Sequence, residues 1–174
     1  PPRAPEGLSF YMLRNEGLVL EWDYPFNPTD DIKRFQIFRR ATISDPFDLI
    51  GELDFDDSTI QTPRSENIHD FLKIKVEMPT SYFTDRQFDV DSNFIYAVCS
   101  VDAHDLSSPY SEQFQVSFDK FSAQLVVDFV SEKNAPKPYP NFVLRSQLTE
   151  DAIRDSRHEC LKCYFDPEYL KIID

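Results

Sequence analysis

Apolar and polar residues alternate with a period of two through the first two-thirds of the chain. In "GLVLEWDY", Leu18, Leu20 and Trp22 fall on one face and Val19, Glu21 and Asp23 on the other, the pattern of a half-buried strand. "YPFNP" follows as a turn cluster. "DIKRFQIFRR" then sets Phe35 and Ile37 against Arg34, Gln36 and Phe38. "FDLIGEL" predicts a short strand and "DFDDS" an acidic turn. "FIYAVCSV" predicts a strong strand, and "EQFQVSF" alternates Phe114, Val116 and Phe118 with Gln113, Gln115 and Ser117. Short strands punctuated by turns, with no long helical period, predict an all-β antiparallel sandwich whose sheets each keep one wet face.

Two stretches break the rhythm. Residues 59–80 are long for a loop. Their end, "FLKIKVEM", alternates Leu72, Ile74 and Val76 with Lys73, Lys75 and Glu77. This predicts an insertion carrying its own strand at a sheet edge, where lysines and a following proline discourage further pairing. The second break comes after Asp119. "SAQLVVDFV" predicts a strand with Leu125, Val127 and Phe129 on one face, and "NAPKPYPN" an extended, polyproline-like run. "TEDAIRDSRHE" predicts a short helix capped by Thr149, and "CLKCYF" a last strand. The division expected is a sandwich over 1–119 and a docking extension over 120–174. The extension is too short and too interrupted by proline for a core of its own. It is expected to pack on the sandwich or on another chain.

Composition narrows the partners. Sixteen Phe and eight Tyr supply an aromatic core, while 31 acidic residues against 18 basic ones leave a net charge of −13. Such a surface repels phosphate backbones and anionic headgroups, so neither nucleic acid nor membrane is expected as a partner. No apolar run reaches the roughly twenty residues that a bilayer span needs. "PPRAPEGLSF" lacks the pattern of a signal peptide and opens as a domain cut from a longer polypeptide would. Three cysteines are too few for a disulfide scaffold. Gly7, Gly17 and Gly51 are too scattered for a phosphate-binding cradle, and no cofactor is expected.

The ordered set of strands resembles a fibronectin type III domain over the first 119 residues. "RAPEGLSF" is similar to that family's first strand and "LVLEWDYPFNPTDDIKRFQIFRR" to its second and third, with Trp22 at the core tryptophan and Ile32, Phe35 and Ile37 at apolar positions. "YFTDRQFDVDSNFIYAVCSVDAHDLSSPYS" resembles the stretch from the fifth strand into the seventh, with Tyr96 in place of the corner tyrosine. The insertion near 59–80 and the glycine-free turn after "VDAH" depart from the family pattern. The resemblance implies an immunoglobulin-like (fibronectin type III) antiparallel sandwich, followed by a β-rich C-terminal extension containing a short helix. It implies a core of Trp22, Phe35, Ile37, Tyr96, Val98 and Phe114. It also implies a Tyr96 hydroxyl that satisfies a backbone group of a loop.

Four groups of residues carry candidate chemistry. Cys99, Asp102 and His104 lie within six positions, but along an extended strand Cys99 and His104 stand roughly 15 Å apart, beyond nucleophile–base reach. Tyr96 and Val98 facing inward turns Cys99 outward. "HECLKC" offers His158, Cys160 and Cys163 as three zinc ligands without a fourth, and on a strand the two thiols face opposite sides. Asp89, Asp91 and Asn93, and Asp54, Asp56 and Asp57, form oxygen-rich turns that suit either a hard cation or ordinary turn geometry. "APKPYPNF" presents Tyr139 and Phe142 on a preformed extended backbone, with Tyr169 further on, as candidate protein contacts.

No constellation supplies catalysis, so an enzyme is not expected. The resemblance, the acidity and the extension point to a structural, protein-interaction module of a larger assembly. Among the settings where such modules occur, a bacteriophage virion (tail, neck or capsid-associated) fits best, with several protein subunits as partners. The alternative is an extracellular adhesion or glycan-binding module of a secreted or cell-surface protein.

Overall fold

The computed structural model describes residues 1–26, 31–59 and 68–137. The chain divides into two compact units, Pro1–Pro140 and Asn141–Asp174, and all described residues belong to the first. The strands are β1 (Glu6–Leu13), β2 (Gly17–Asp23), β3 (Ile32–Arg40), β4 (Asp48–Asp54), β5 (Lys73–Lys75), β6 (Tyr82–Asp85), β7 (Asn93–Asp102), β8 (Gln113–Asp119) and β9 (Gln124–Ser131). A single 3-10 turn, Asp70–Leu72, precedes β5 and is the one helical element among the described residues. The strands form two sheets, ordered β1-β2-β6 and β5-β4-β3-β7-β8-β9. The described residues form an all-β sandwich.

Turn chemistry fixes the first hairpin. Asn15 and Gly17 both have positive φ, 66° and 118°, and the Glu16 amide bonds the Leu13 carbonyl at 3.1 Å. At Gly17 a Cβ would lie 2.2 Å from the Asp85 carbonyl oxygen, so only glycine allows β6 to close on this turn.

The inward positions of both sheets merge into one core that includes Leu18, Leu20, Trp22, Phe35, Ile37, Leu53, Tyr96, Val98 and Val116. Trp22 is 4% exposed and meets Phe35 edge-on at 5.4 Å between ring centroids. Phe114 is half-buried and packs against this core from its rim, edge to face with Phe10.

The structure corrects the expectation of one wet face per sheet. On the outer face of the larger sheet, Phe38, Ala97, Cys99 and Tyr110 form a second buried cluster, with Phe47, Leu49 and Ala135 packed on it. Cys99 does point outward, yet it is fully buried there. The polar positions of β3 and β4 are covered too. Buried Gln36 donates to buried Glu52 at 2.9 Å and accepts from Lys137 at 2.7 Å. The segment after β9 does the covering. The Tyr110 amide bonds the Ala135 carbonyl at 2.9 Å, and the Asn134 amide bonds the Tyr110 carbonyl at 2.8 Å.

Two boundaries also differ. The predicted edge strand exists but spans only Lys73–Lys75, and it runs parallel to β4 rather than antiparallel. The connection over 55–72 is long enough for the crossover of a dozen or more residues that a parallel pair requires. The break expected after Asp119 falls inside a hairpin, because β9 pairs with β8 along its length and extends the larger sheet. The predicted helix at Thr149 and the strand "CLKCYF" lie outside the described residues.

A polar lock joins the sheets at the corner where the tyrosine was expected. The Tyr96 hydroxyl donates to Asp85 Oδ2 at 2.8 Å, and Arg39 Nη1 donates to the same oxygen at 2.7 Å. The Gln87 amide bonds Asp85 Oδ1 at 3.0 Å. The hydroxyl therefore satisfies a buried carboxylate at the end of β6, and not a loop backbone group. Burial, and then the Asp85 charge, push the Tyr96 hydroxyl far above the ordinary tyrosine range.

Candidate functional site

Six strands face three, so the larger sheet overhangs the smaller one. Phe10 of β1 reaches Phe114 of β8, and the Phe83 ring of β6 lies over Gly51 of β4, so the inner face is left open only toward its two edges, β5 and β9. At the β5 end the overhang forms a groove of about 600 Å³, lined among others by Leu53, Leu72, Ile74, Val76, Tyr82 and Phe83. Phe71, on the 3-10 turn beside it, is 80% exposed. At the other end β9 is the outermost strand. Val127 stands opposite the core residue Val116, and Phe129 opposite Phe114, so both point to the inner face. Yet Phe129 is 55% exposed and Val127 is also exposed. Opposed residues of an antiparallel ladder share a face, which is why the alternation read correctly here while the burial did not. Phe121, in the β8–β9 turn, is fully exposed as well.

The loop end near the start of β3 gathers charge. Buried Arg34 donates from Nη2 to Asp56 at 2.9 Å and lies 3.7 Å from Asp54 and 3.8 Å from Asp105. Lys33 pairs with Asp57 at 2.9 Å. Burial works to raise the Asp56 carboxyl. Hydrogen bonds from Ser58, followed by the Arg34 and Lys33 charges, outweigh it and hold the group below its ordinary value. The acidic turn at Asp54, Asp56 and Asp57 is thus filled by the protein's own cations. The second oxygen-rich turn is also spent internally. Asp89 Oδ1 accepts from the Asp91 amide and the Ser92 hydroxyl, each at 2.9 Å. Asp91 pairs with Lys120, and Asn93 accepts from Gln115 at 2.9 Å.

Next to Arg34, the ends of two neighbouring strands bring together Asp31, Asp102 and His104. One donor atom from each lies within 4.8 Å of the other two. Ile32 pairs with Asp102 in the ladder, and the Ala103 amide bonds the Asp31 carbonyl at 2.8 Å, so backbone geometry sets this spacing. Asp102 Oδ1 accepts from the amides of His104 and Leu106, each at 2.9 Å, and caps the turn. Sequence reasoning placed Asp102 and His104 at this strand end but missed Asp31. Only the β3–β7 register makes a residue some seventy positions away their neighbour.

Cys99 belongs to none of this. It lies under Phe38 and Tyr110 on the outer face, while Asp102 and His104 sit at the loop end. The zinc candidates His158, Cys160 and Cys163 and the contact candidates Tyr139, Phe142 and Tyr169 all lie outside the described residues. Among the described residues no helix is long and apolar enough to cross a membrane. No family model and no curated protein matches the chain.

Proposed function

We propose that the chain is a fibronectin type III-like sandwich serving as a structural, protein-interaction module of a larger assembly, most plainly a bacteriophage virion protein, and that it catalyses no reaction. The strand order supports the fold part of this reading. β1, β2 and β6 share one sheet while β3, β7 and β8 adjoin in the other, the distribution of the first, second and fifth against the third, sixth and seventh strands of immunoglobulin-like domains. In this reading β5 and β9 are additions to the two edges of the second sheet.

The observation that carries the functional part is the apolar overhang. Val127 and Phe129 occupy inward-facing positions on an outermost strand and stay exposed, on a chain with a net charge of −13. Other subunits, in several copies, are the partners proposed for it. Neither nucleic acid nor a membrane is, given the charge. The burial of Cys99 speaks against thiol chemistry at that residue.

The test is photo-crosslinking in the assembled particle, with a benzophenone amino acid at position 129 and, as a control, at exposed Asp45 in the β3–β4 turn. Crosslinks from position 129 to a neighbouring subunit, absent from position 45, are expected. Equal labelling at the two positions, or none at 129, refutes the reading.

A further inference from the structure

We propose that Asp31, Asp102 and His104 form a binding site for a divalent transition cation of the zinc class at the loop end of the sandwich. This rests on the site's own geometry and holds whether or not the chain assembles with others.

Three observations carry it. The donors are of mixed type, two carboxylate oxygens and one imidazole nitrogen, all within 4.8 Å of one another. Ligands at 2.0–2.2 Å from a common ion stand about 3.4 Å apart in a tetrahedron, so atoms already within 4.8 Å of one another need only a small closure, and the His104 side chain is exposed, where it can move. The scaffold is also preorganised. Asp102 and His104 are two apart where β7 ends, and Asp31 is held across from them by the ladder and by the Ala103–Asp31 backbone bond.

The third observation is electrostatic. Asp102 is 5% exposed, has a second carboxylate beside it, and forms no ion pair with Lys or Arg among the described residues. Arg34, the one buried Lys or Arg among the described residues, pairs instead with Asp56 at 2.9 Å and lies 3.7 and 3.8 Å from Asp54 and Asp105. Two close acids, one of them buried, are stabilised by a cation between them. The imidazole selects the class, because calcium and magnesium prefer all-oxygen shells whereas zinc and its neighbours take imidazole with carboxylate. Three protein ligands leave a position for water. A bound ion would staple the β2–β3 connection to the β7–β8 connection.

Cobalt(II) is the probe, because it takes zinc sites and reports its ligands by colour. Titration of the full chain is expected to give visible d–d bands with one ion at this site and no thiolate charge-transfer band from it. The signal should survive Cys160→Ser/Cys163→Ser and weaken by more than about tenfold in His104→Ala and in Asp31→Asn. These two variants are chosen because Asp102 also caps the turn, and its replacement endangers the fold. Zinc should compete the cobalt away and raise the melting temperature of the parent but not of His104→Ala. Three results would overturn the proposal: no binding at millimolar cobalt, binding unchanged in both variants, or a signal that disappears with the cysteines.

Discussion

Replacing Tyr96 with phenylalanine isolates the polar lock between the sheets. The ring stays, so the core keeps its volume, and only the hydroxyl that donates to Asp85 at 2.8 Å is lost. A hydrogen bond to a charged group is worth about 1.5–3 kcal/mol. Asp85 retains Arg39 and the Gln87 amide, which places the expected loss toward the lower end. For a chain of this size that corresponds to a fall in Tm of about 2–4 °C per kcal/mol. The pH dependence adds a second signature. Tyr96 has a folded-state pKa raised above its unfolded value near 10, by burial first and Asp85 second. Above that pH the unfolded chain holds fewer protons than the native one. Stability that is fully present below the unfolded pKa is therefore lost as pH rises, at up to about 1.4 kcal/mol per pH unit from this group. Urea denaturation at pH 7 and between pH 9.5 and 11 measures both effects. Tyr96→Phe should be weaker at pH 7 and show a flatter alkaline decline than the parent. A neutral-pH loss below about 0.5 kcal/mol, or parallel alkaline slopes, would refute the lock.

Arg34→Met should destabilise by about 3–5 kcal/mol in urea melts, because three acids lose the cation they share. Asp56 is held below its ordinary value, so its share of stability is present above the unfolded pKa and lost as pH falls through the folded one; removing Arg34 should flatten that acid limb. Gly51→Ala places a Cβ 2.4 Å from the Phe83 ring and should cost about 1–3 kcal/mol, much of it recovered when Phe83→Leu is added. In a Cys160→Ser/Cys163→Ser background, Cys99 should resist a thiol reagent in the native state, and Tyr110→Ala should open it while costing on the order of 3 kcal/mol. Rapid labelling of that double-serine background with Tyr110 intact would show that the outer cluster is not closed in solution.

Period-two alternation and turn residues determined the strands, because a half-buried strand writes its two faces into neighbouring letters. Leu18, Leu20, Trp22, Phe35 and Ile37 were legible as one core for that reason. What covers the opposite face was not legible. Gln36 and Cys99 read as outward-facing, and they are buried because the segment after β9 returns over β3 and β7. Nor does alternation count strands per sheet. Val127 and Phe129 carry the letters of a core strand and are exposed because six strands oppose three. The loop-end cluster shows the same limit: Asp102 and His104 are neighbours in sequence, but Asp31 joins them only through the register of β3 on β7. Local sequence dictates which way a side chain points. Only the assembled sheets decide what, if anything, it meets there.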